Sequence, residues 1–263
     1  MTWRYFLLFL IILNQLSRSQ VNEIEFLQTV NSLYYSLESS DLQNFSAWIS
    51  SDYFRENLKD VMPNEEYPLE IIWTNPNRIF FIKRPLPVIS DSVKSDMAQN
   101  LQLEMQQELK GLLIDWQRFY GGNLLAGLPA QYKLTTRSDT VLLEYETLEQ
   151  GEKIQACLYF GQNGLWLKLL LKYIESPQEI NIYPVFNYIE NKWLCSGWQV
   201  QMLEKSEVQS GFIVQIISHK IDKYWLPKRL NMQLQTKDKK DLIYHREYNF
   251  YNVMTNRSIK VVE

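Results

Sequence analysis

The chain has 263 residues, 46% of them hydrophobic and 14% aromatic, with a formal net charge of −3. That length and apolar content can bury a substantial core, which excludes an intrinsically disordered chain. Acidic and basic residues are interspersed, and with no long basic stripe to follow a phosphate backbone, no nucleic-acid partner is expected.

Residues 1–20 differ in kind from the rest of the chain. Arg4 precedes the apolar run Tyr5 to Leu13, and Ser17 and Ser19 stand at the spacing of a cleavage site. The run is far shorter than the ~20 apolar residues of a spanning helix, so it reads as an export signal. An uncleaved anchor is the alternative. The remainder, 21–263, is expected as a single domain outside the cytoplasm: periplasmic in a Gram-negative cell, secreted from another.

From Val21 to Leu37, Phe26, Val30, Leu33 and Leu37 recur at helical spacing. Beyond Ser39-Ser-Asp41, the residues Phe45, Trp48, Ile49, Tyr53, Phe54 and Leu58 read as a second, shorter helix or irregular cover. Pro68 to Trp73 and Arg78 to Lys83 form a hairpin across Thr74-Asn-Pro-Asn77, where proline's fixed φ suits a turn. From Asp91 the period becomes helical again: Leu101, Met105, Leu109, Leu112, Trp116 and Phe119, stopped by Gly121-Gly122.

Strands then follow in pairs. Gln131 to Thr136 and Thr140 to Leu148 meet across Arg137 to Asp139. Lys153 to Phe160 and Leu165 to Tyr173 meet across Gly161-Gln-Asn-Gly164, whose Asn-Gly is a strong hairpin marker. Ile180 to Tyr188 and Lys192 to Leu203 join near Glu190-Asn191. Three more strands occupy Gly211 to Val253, with Leu230, Met232 and Leu234 on one face of the middle one. The expected fold class is α+β: a large curved antiparallel sheet of about eleven strands, open like a half-barrel, with helices covering its concave face.

The chemistry-bearing residues are sparse. Neither a Gly-x-Ser-x-Gly elbow nor a His-Glu-x-x-His helix occurs, and Gly121 to Gly127 lacks the lysine and hydroxyl residue of a phosphate loop. His219 and His245 read as structural or solvated. Nothing in the sequence fixes the separation of Asp52, Glu65, Glu66 and Asp115 as a carboxylate pair. Cys157 and Cys195 lie too far apart, with only two histidines, to suggest a zinc site; one disulfide and two buried thiols are both open. The expectation is a non-enzyme without cofactor or metal.

Three stretches carry a resemblance: Asn75-Pro-Asn-Arg-Ile-Phe80; Gln131 to Asp139 with Thr140-Val-Leu-Leu143; and Tyr224-Trp-Leu-Pro-Lys-Arg-Leu-Asn-Met232 before a Tyr/Phe-rich strand. In the order of its elements the chain resembles the periplasmic lipoprotein carriers of the LolA family and their half-barrel relatives. The resemblance implies an open, strongly curved sheet plugged by helices, whose apolar concave face receives acyl chains. It implies an apolar ligand or lipoprotein as cargo, with a membrane-associated donor or acceptor protein as partner.

A curled, unclosed sheet suits an apolar ligand on physical grounds too, because lipid pockets are lined by aliphatic and aromatic side chains. Trp73, Phe80, Ile82, Trp116, Leu230, Met232 and Leu234 are the expected lining; the competing reading is that they meet the helix and nothing else. A non-catalytic protein-interaction module of the cell envelope is the main alternative function. A small enzyme on a nuclear-transport-factor-like cone is a further one, suggested by Tyr34-Tyr35 and Asp41-Leu42, although eleven strands exceed that fold.

Overall fold

Short turns between alternating runs dictate antiparallel neighbours, and the chain obeys that rule almost throughout. The computed structural model describes residues 23–64, 66–121, 128–137, 139–149, 151–236 and 239–257. The expected export signal, Glu65 and Gly122 lie outside those residues. The elements are α1 Glu23–Leu33, β1 Asn44–Ser51, α2 Asp52–Leu58, β2 Leu69–Thr74, β3 Arg78–Lys83 and α3 Ser92–Trp116. A π-helical turn, Gln117–Gly121, extends α3. The strands β4 Lys133–Thr136, β5 Thr140–Glu149, β6 Glu152–Gly161, β7 Trp166–Tyr173, β8 Gln178–Ile189, β9 Lys192–Glu204, β10 Glu207–Ile221, β11 Tyr224–Thr236 and β12 Lys239–Thr255 complete the chain.

Twelve strands form one open antiparallel sheet in the order β3-β2-β1-β12-β11-β10-β9-β8-β7-β6-β5-β4. The count is twelve, not eleven, because Asn44–Ser51 is a strand and not a helix. Phe45, Ala47 and Ile49 alternate toward the core, and only pairing with β2 and β12 selects that two-residue period over the helical spacing of Phe45, Trp48 and Ile49. The short helix expected nearby is α2, capped where the Ser51 hydroxyl accepts the Phe54 N–H.

The sheet curls. In a flat sheet, β1 and β7 would stand six strand spacings apart, roughly 29 Å. Yet Trp116 meets Phe45 of β1 with ring centroids 6.2 Å apart, and Phe119, one turn further on, meets Trp166 of β7 at 4.8 Å. The side carrying α3 is therefore the inner face. One row of apolar side chains crosses it: Leu234, Phe212, Val200, Ile182, Leu169, Leu158, Leu143 and Leu134 stand opposite one another from β11 to β4.

The helix α3 lies along this face and is tied to both ends of the β2–β3 hairpin. The Gln102 side-chain amide donates to the Pro68 and Arg84 carbonyls at 2.7 and 2.9 Å. At the other end, Gln117 and Asn77 bond to each other. The buried stripe of α3 contains Leu101, Met105, Leu109, Leu112 and Trp116, as the spacing of these residues requires.

One end of the curl is sealed by α1 and the segment after it. Phe26 packs on Phe160, and the Tyr34 hydroxyl donates to the Gly164 carbonyl at 2.9 Å while accepting the Trp166 N–H at 2.5 Å. Burial pushes the Tyr34 phenol well above its ordinary pKa, which keeps it a neutral donor.

The two cysteines are free. Cys195 sits in the main core, whereas Cys157 belongs to a small outer cluster with Leu142 and Leu170, so the sheet separates them. Burial pushes the Cys195 thiol up to about 12. Among the described residues, no helix is long and apolar enough to cross a membrane.

Candidate functional site

The inner face is filled unevenly. Around β1, β2 and β12 it is plugged by Trp73, Phe45 and Trp116, all at 1% exposure or less. Opposite β5, β6 and β7 the helix leaves room. A hollow of about 390 Å³ is lined by Ile114 and Arg118 on one side and by Tyr145, Thr147, Leu148, Ile154, Ala156, Leu169 and Leu171 on the other. Its size falls within the range of small-molecule sites.

The cause is local and simple. Tyr145, Ala156, Leu171, Ile180 and Met202 stand opposite one another across β5 to β9, next to the apolar row that runs through Leu158 and Leu169. Ala156 is the smallest of them, and no side chain of α3 fills the missing volume. Ile114 is 42% exposed and Leu148 67% exposed, which marks an apolar rim open to solvent.

One ion pair sits at this rim. Arg118 Nη1 donates to Asp115 Oδ1 at 2.6 Å, with side chains 24% and 13% exposed. The π-helical turn carries Arg118, and such turns are frequent at functional positions because they re-aim side chains.

The residues expected to line a ligand site are divided by the structure. Trp73, Trp116 and Leu230 lie in the plugged half, wholly buried. Met232 and Leu234 are half-buried on the inner face. Phe80 and Ile82, by contrast, point outward at 45% and 44% exposure. Register decides this: Trp73 stands opposite Ile79, and Ile71 opposite Phe81, so the inner residues of β3 are Ile79 and Phe81. The hollow's own walls, Ala156 and Leu171 above all, were missed. Their alternation was legible, but which alternating residues lack a covering partner was not.

A second cavity of about 230 Å³ lies at the sealed end, between Tyr35, Ser36, Ser39 and Ser40 on one side and Ile189, Glu190, Lys192, Leu194 and Trp225 on the other. Burial pushes the Tyr35 phenol up to about 12. Lys220 and the Trp225 indole N–H hold the Glu190 carboxyl below the usual carboxylate range.

The carboxylates considered for catalysis are separated. Asp52 pairs with His245 at 3.5 Å and accepts the Glu247 N–H, while Asp115 pairs with Arg118. Among the described residues, no group of three or more His, Cys, Asp or Glu could hold a metal.

No family model, no curated protein and no solved structure matches this chain.

Proposed function

We propose that the protein is an exported carrier or binding protein for an apolar ligand, a lipid or the acyl chains of a lipoprotein, working as a half-barrel in the manner of the LolA carriers. The observation that carries this reading is the hollow beside Ala156: an open space between α3 and the inner face of β5 to β7, walled mostly by aliphatic side chains, that the chain's own side chains leave unfilled. Aliphatic walls reward transfer of hydrocarbon from water by about 25 cal/mol per Å² buried. The reading does not call for catalysis, a cofactor or a metal.

Purification from the native host followed by organic extraction and mass spectrometry tests the proposal. Co-purified lipid in near-stoichiometric amount is the expected result, and its loss in Ile114→Asp ties it to the hollow. An extract free of lipid argues against a carrier.

The alternative is a non-catalytic interaction module of the cell envelope, and one observation favours it. Strand β3 is a sheet edge whose outward Phe80 and Ile82 are nearly half exposed. A lipid-free protein bound tightly to one partner, and released from it by Phe80→Ser, would support that reading instead.

A further inference from the structure

We infer that the open edge of β3 takes an extended peptide strand of a partner protein, with an acidic residue at each end of the stretch laid against β3. This rests on the interaction reading, to which it gives a partner chemistry and a binding mode, and it does not depend on the hollow beside Ala156. β3 is the last strand on its side of the sheet. The Arg84 N–H donates to the Pro68 carbonyl at 3.0 Å. Bonded pairs alternate along an antiparallel ladder, so Ile82, Phe80 and Arg78 bond to Glu70, Ile72 and Thr74, and the backbone groups of Ile79, Phe81 and Lys83 face the open side. Among the described residues, no other group bonds to that side. A row of unmet donors and acceptors is a template for one more strand.

Charge decides which strand fits. Arg78 and Lys83 stand exposed at the two ends of β3, and Arg84 follows with its guanidinium 3.7 Å over the Trp48 ring. Among the described residues none of the three pairs with a carboxylate, and Glu70 on the neighbouring strand is paired with Arg257 at 3.9 Å. In a chain of net charge −3, this edge is an uncompensated basic stretch. Between the cations, Phe80 and Ile82 are 45% and 44% exposed, and β-branched residues opposite them would cover both. A second copy fits badly. Pairing two β3 strands over their full length, about Phe81, sets Arg78 opposite Arg84 of the other copy, and the sheet's other open edge, β4, carries Lys133 and no acid.

Titration of the full mature chain with three end-capped peptides, each matching the six residues of β3, tests this. They are Glu-Val-Thr-Val-Thr-Glu, the same sequence with lysine at both ends, and the acidic peptide N-methylated at its two threonines. Laid antiparallel, the acidic peptide sets its glutamates opposite Lys83 and Arg78 and its threonine amides against Phe81 and Ile79. It is expected to bind roughly fivefold or more tightly than the lysine peptide. Amide hydrogen exchange should slow at Ile79, Phe81 and Lys83 but not at Phe80 and Ile82, which β2 already holds. The N-methylated peptide should not bind, and Arg78→Ser/Lys83→Ser should erase the preference between the two end charges. Equal affinity for the acidic and lysine peptides would overturn the acidic partner. Binding that survives N-methylation, or that leaves those three amides exchanging freely, would overturn strand addition. No binding by any peptide would overturn the inference outright, while release of a native partner by Phe80→Ser still decides the interaction reading on its own.

Discussion

Asn77 and Gln117 exchange two hydrogen bonds across the inner face: Asn77 Nδ2 donates to the Gln117 carbonyl at 3.1 Å, and Gln117 Nε2 donates to the Asn77 carbonyl at 2.6 Å. Asn77 Oδ1 also accepts the Trp73 indole N–H at 3.0 Å. The β2–β3 turn thereby fixes the point where α3 passes into the π-helical turn, and with it the position of Arg118.

Because Asn77 has φ of 41°, replacing it with alanine would mix backbone strain with the lost amide. Asn77→Gly keeps the backbone free and removes only the side chain. Its expected cost is about 1–3 kcal/mol, from the Trp73 donor and the Gln117 carbonyl left unmet. Gln117→Ala should cost a similar amount, and the double variant less than the sum, as for any pair sharing one network. Urea denaturation of the four proteins measures this; strict additivity would show that the two amides act independently.

Arg246 is a buried cation whose side chain is 8% exposed, with its guanidinium over the Tyr53 and Tyr244 rings at 3.4 and 3.6 Å. It pairs with Glu104 at 3.4 Å and Glu108 at 3.6 Å, and Glu108 also accepts from the Tyr244 and Tyr248 hydroxyls. This is the polar seam between α3 and β12. Arg246→Ala should destabilise the fold by roughly 2–3 kcal/mol, because the buried guanidinium's packing is lost and the half-buried Glu108 is left without its cation. Adding Glu108→Gln should recover part of that loss, as thermal unfolding would register. Equal stability of Arg246→Ala and the double variant would show that Glu108 does not depend on Arg246.

Gly197 stands at φ of 152°, and a Cβ added there would lie 2.2 Å from the Val214 carbonyl oxygen on the neighbouring strand. That oxygen is backbone, held by the β9–β10 ladder, and cannot step aside. Gly197→Ala is expected to cost about 3 kcal/mol, at the upper end of overpacking substitutions. Gly111, where an added Cβ meets nothing within 4 Å, serves as the control: Gly111→Ala in α3 should stabilise by up to about 1 kcal/mol. Similar effects at the two sites would refute the steric argument.

His219 shapes the response to acid. Its Nε2 is buried without a hydrogen-bond partner, and burial first, then the nearby Lys228 charge, lowers its pKa below the ordinary 6.5. Above that value the imidazole is neutral in both folded and unfolded chains. As pH falls through 6.5, the unfolded chain takes up a proton that the folded chain resists, so stability declines until the folded-state pKa is passed. Comparing urea midpoints at pH 7.5 and 5.5, wild type should lose more stability than His219→Gln, with His245 and Asp52 common to both. An identical loss in the two proteins would rule out this role for His219.

Local signals in the chain suffice for the β2–β3, β4–β5, β6–β7, β8–β9 and β10–β11–β12 connections and for the helix α3, because turn residues and side-chain periodicity act over a few neighbouring residues. Asn163-Gly164 and Glu190-Asn191 set turns regardless of what lies across the molecule, and Leu101 to Trp116 repeats within its own helix. That Asn44–Ser51 is a strand follows from its pairing with β2 and with β12 about 200 residues further on, since its apolar spacing fits either period. The tertiary structure also decided which way Phe80 and Ile82 face, because a register set by β2 assigns the two sides of β3. The hollow beside Ala156 belongs to the same category: a small side chain becomes a space only when the curl of the sheet and the path of α3 leave nothing above it.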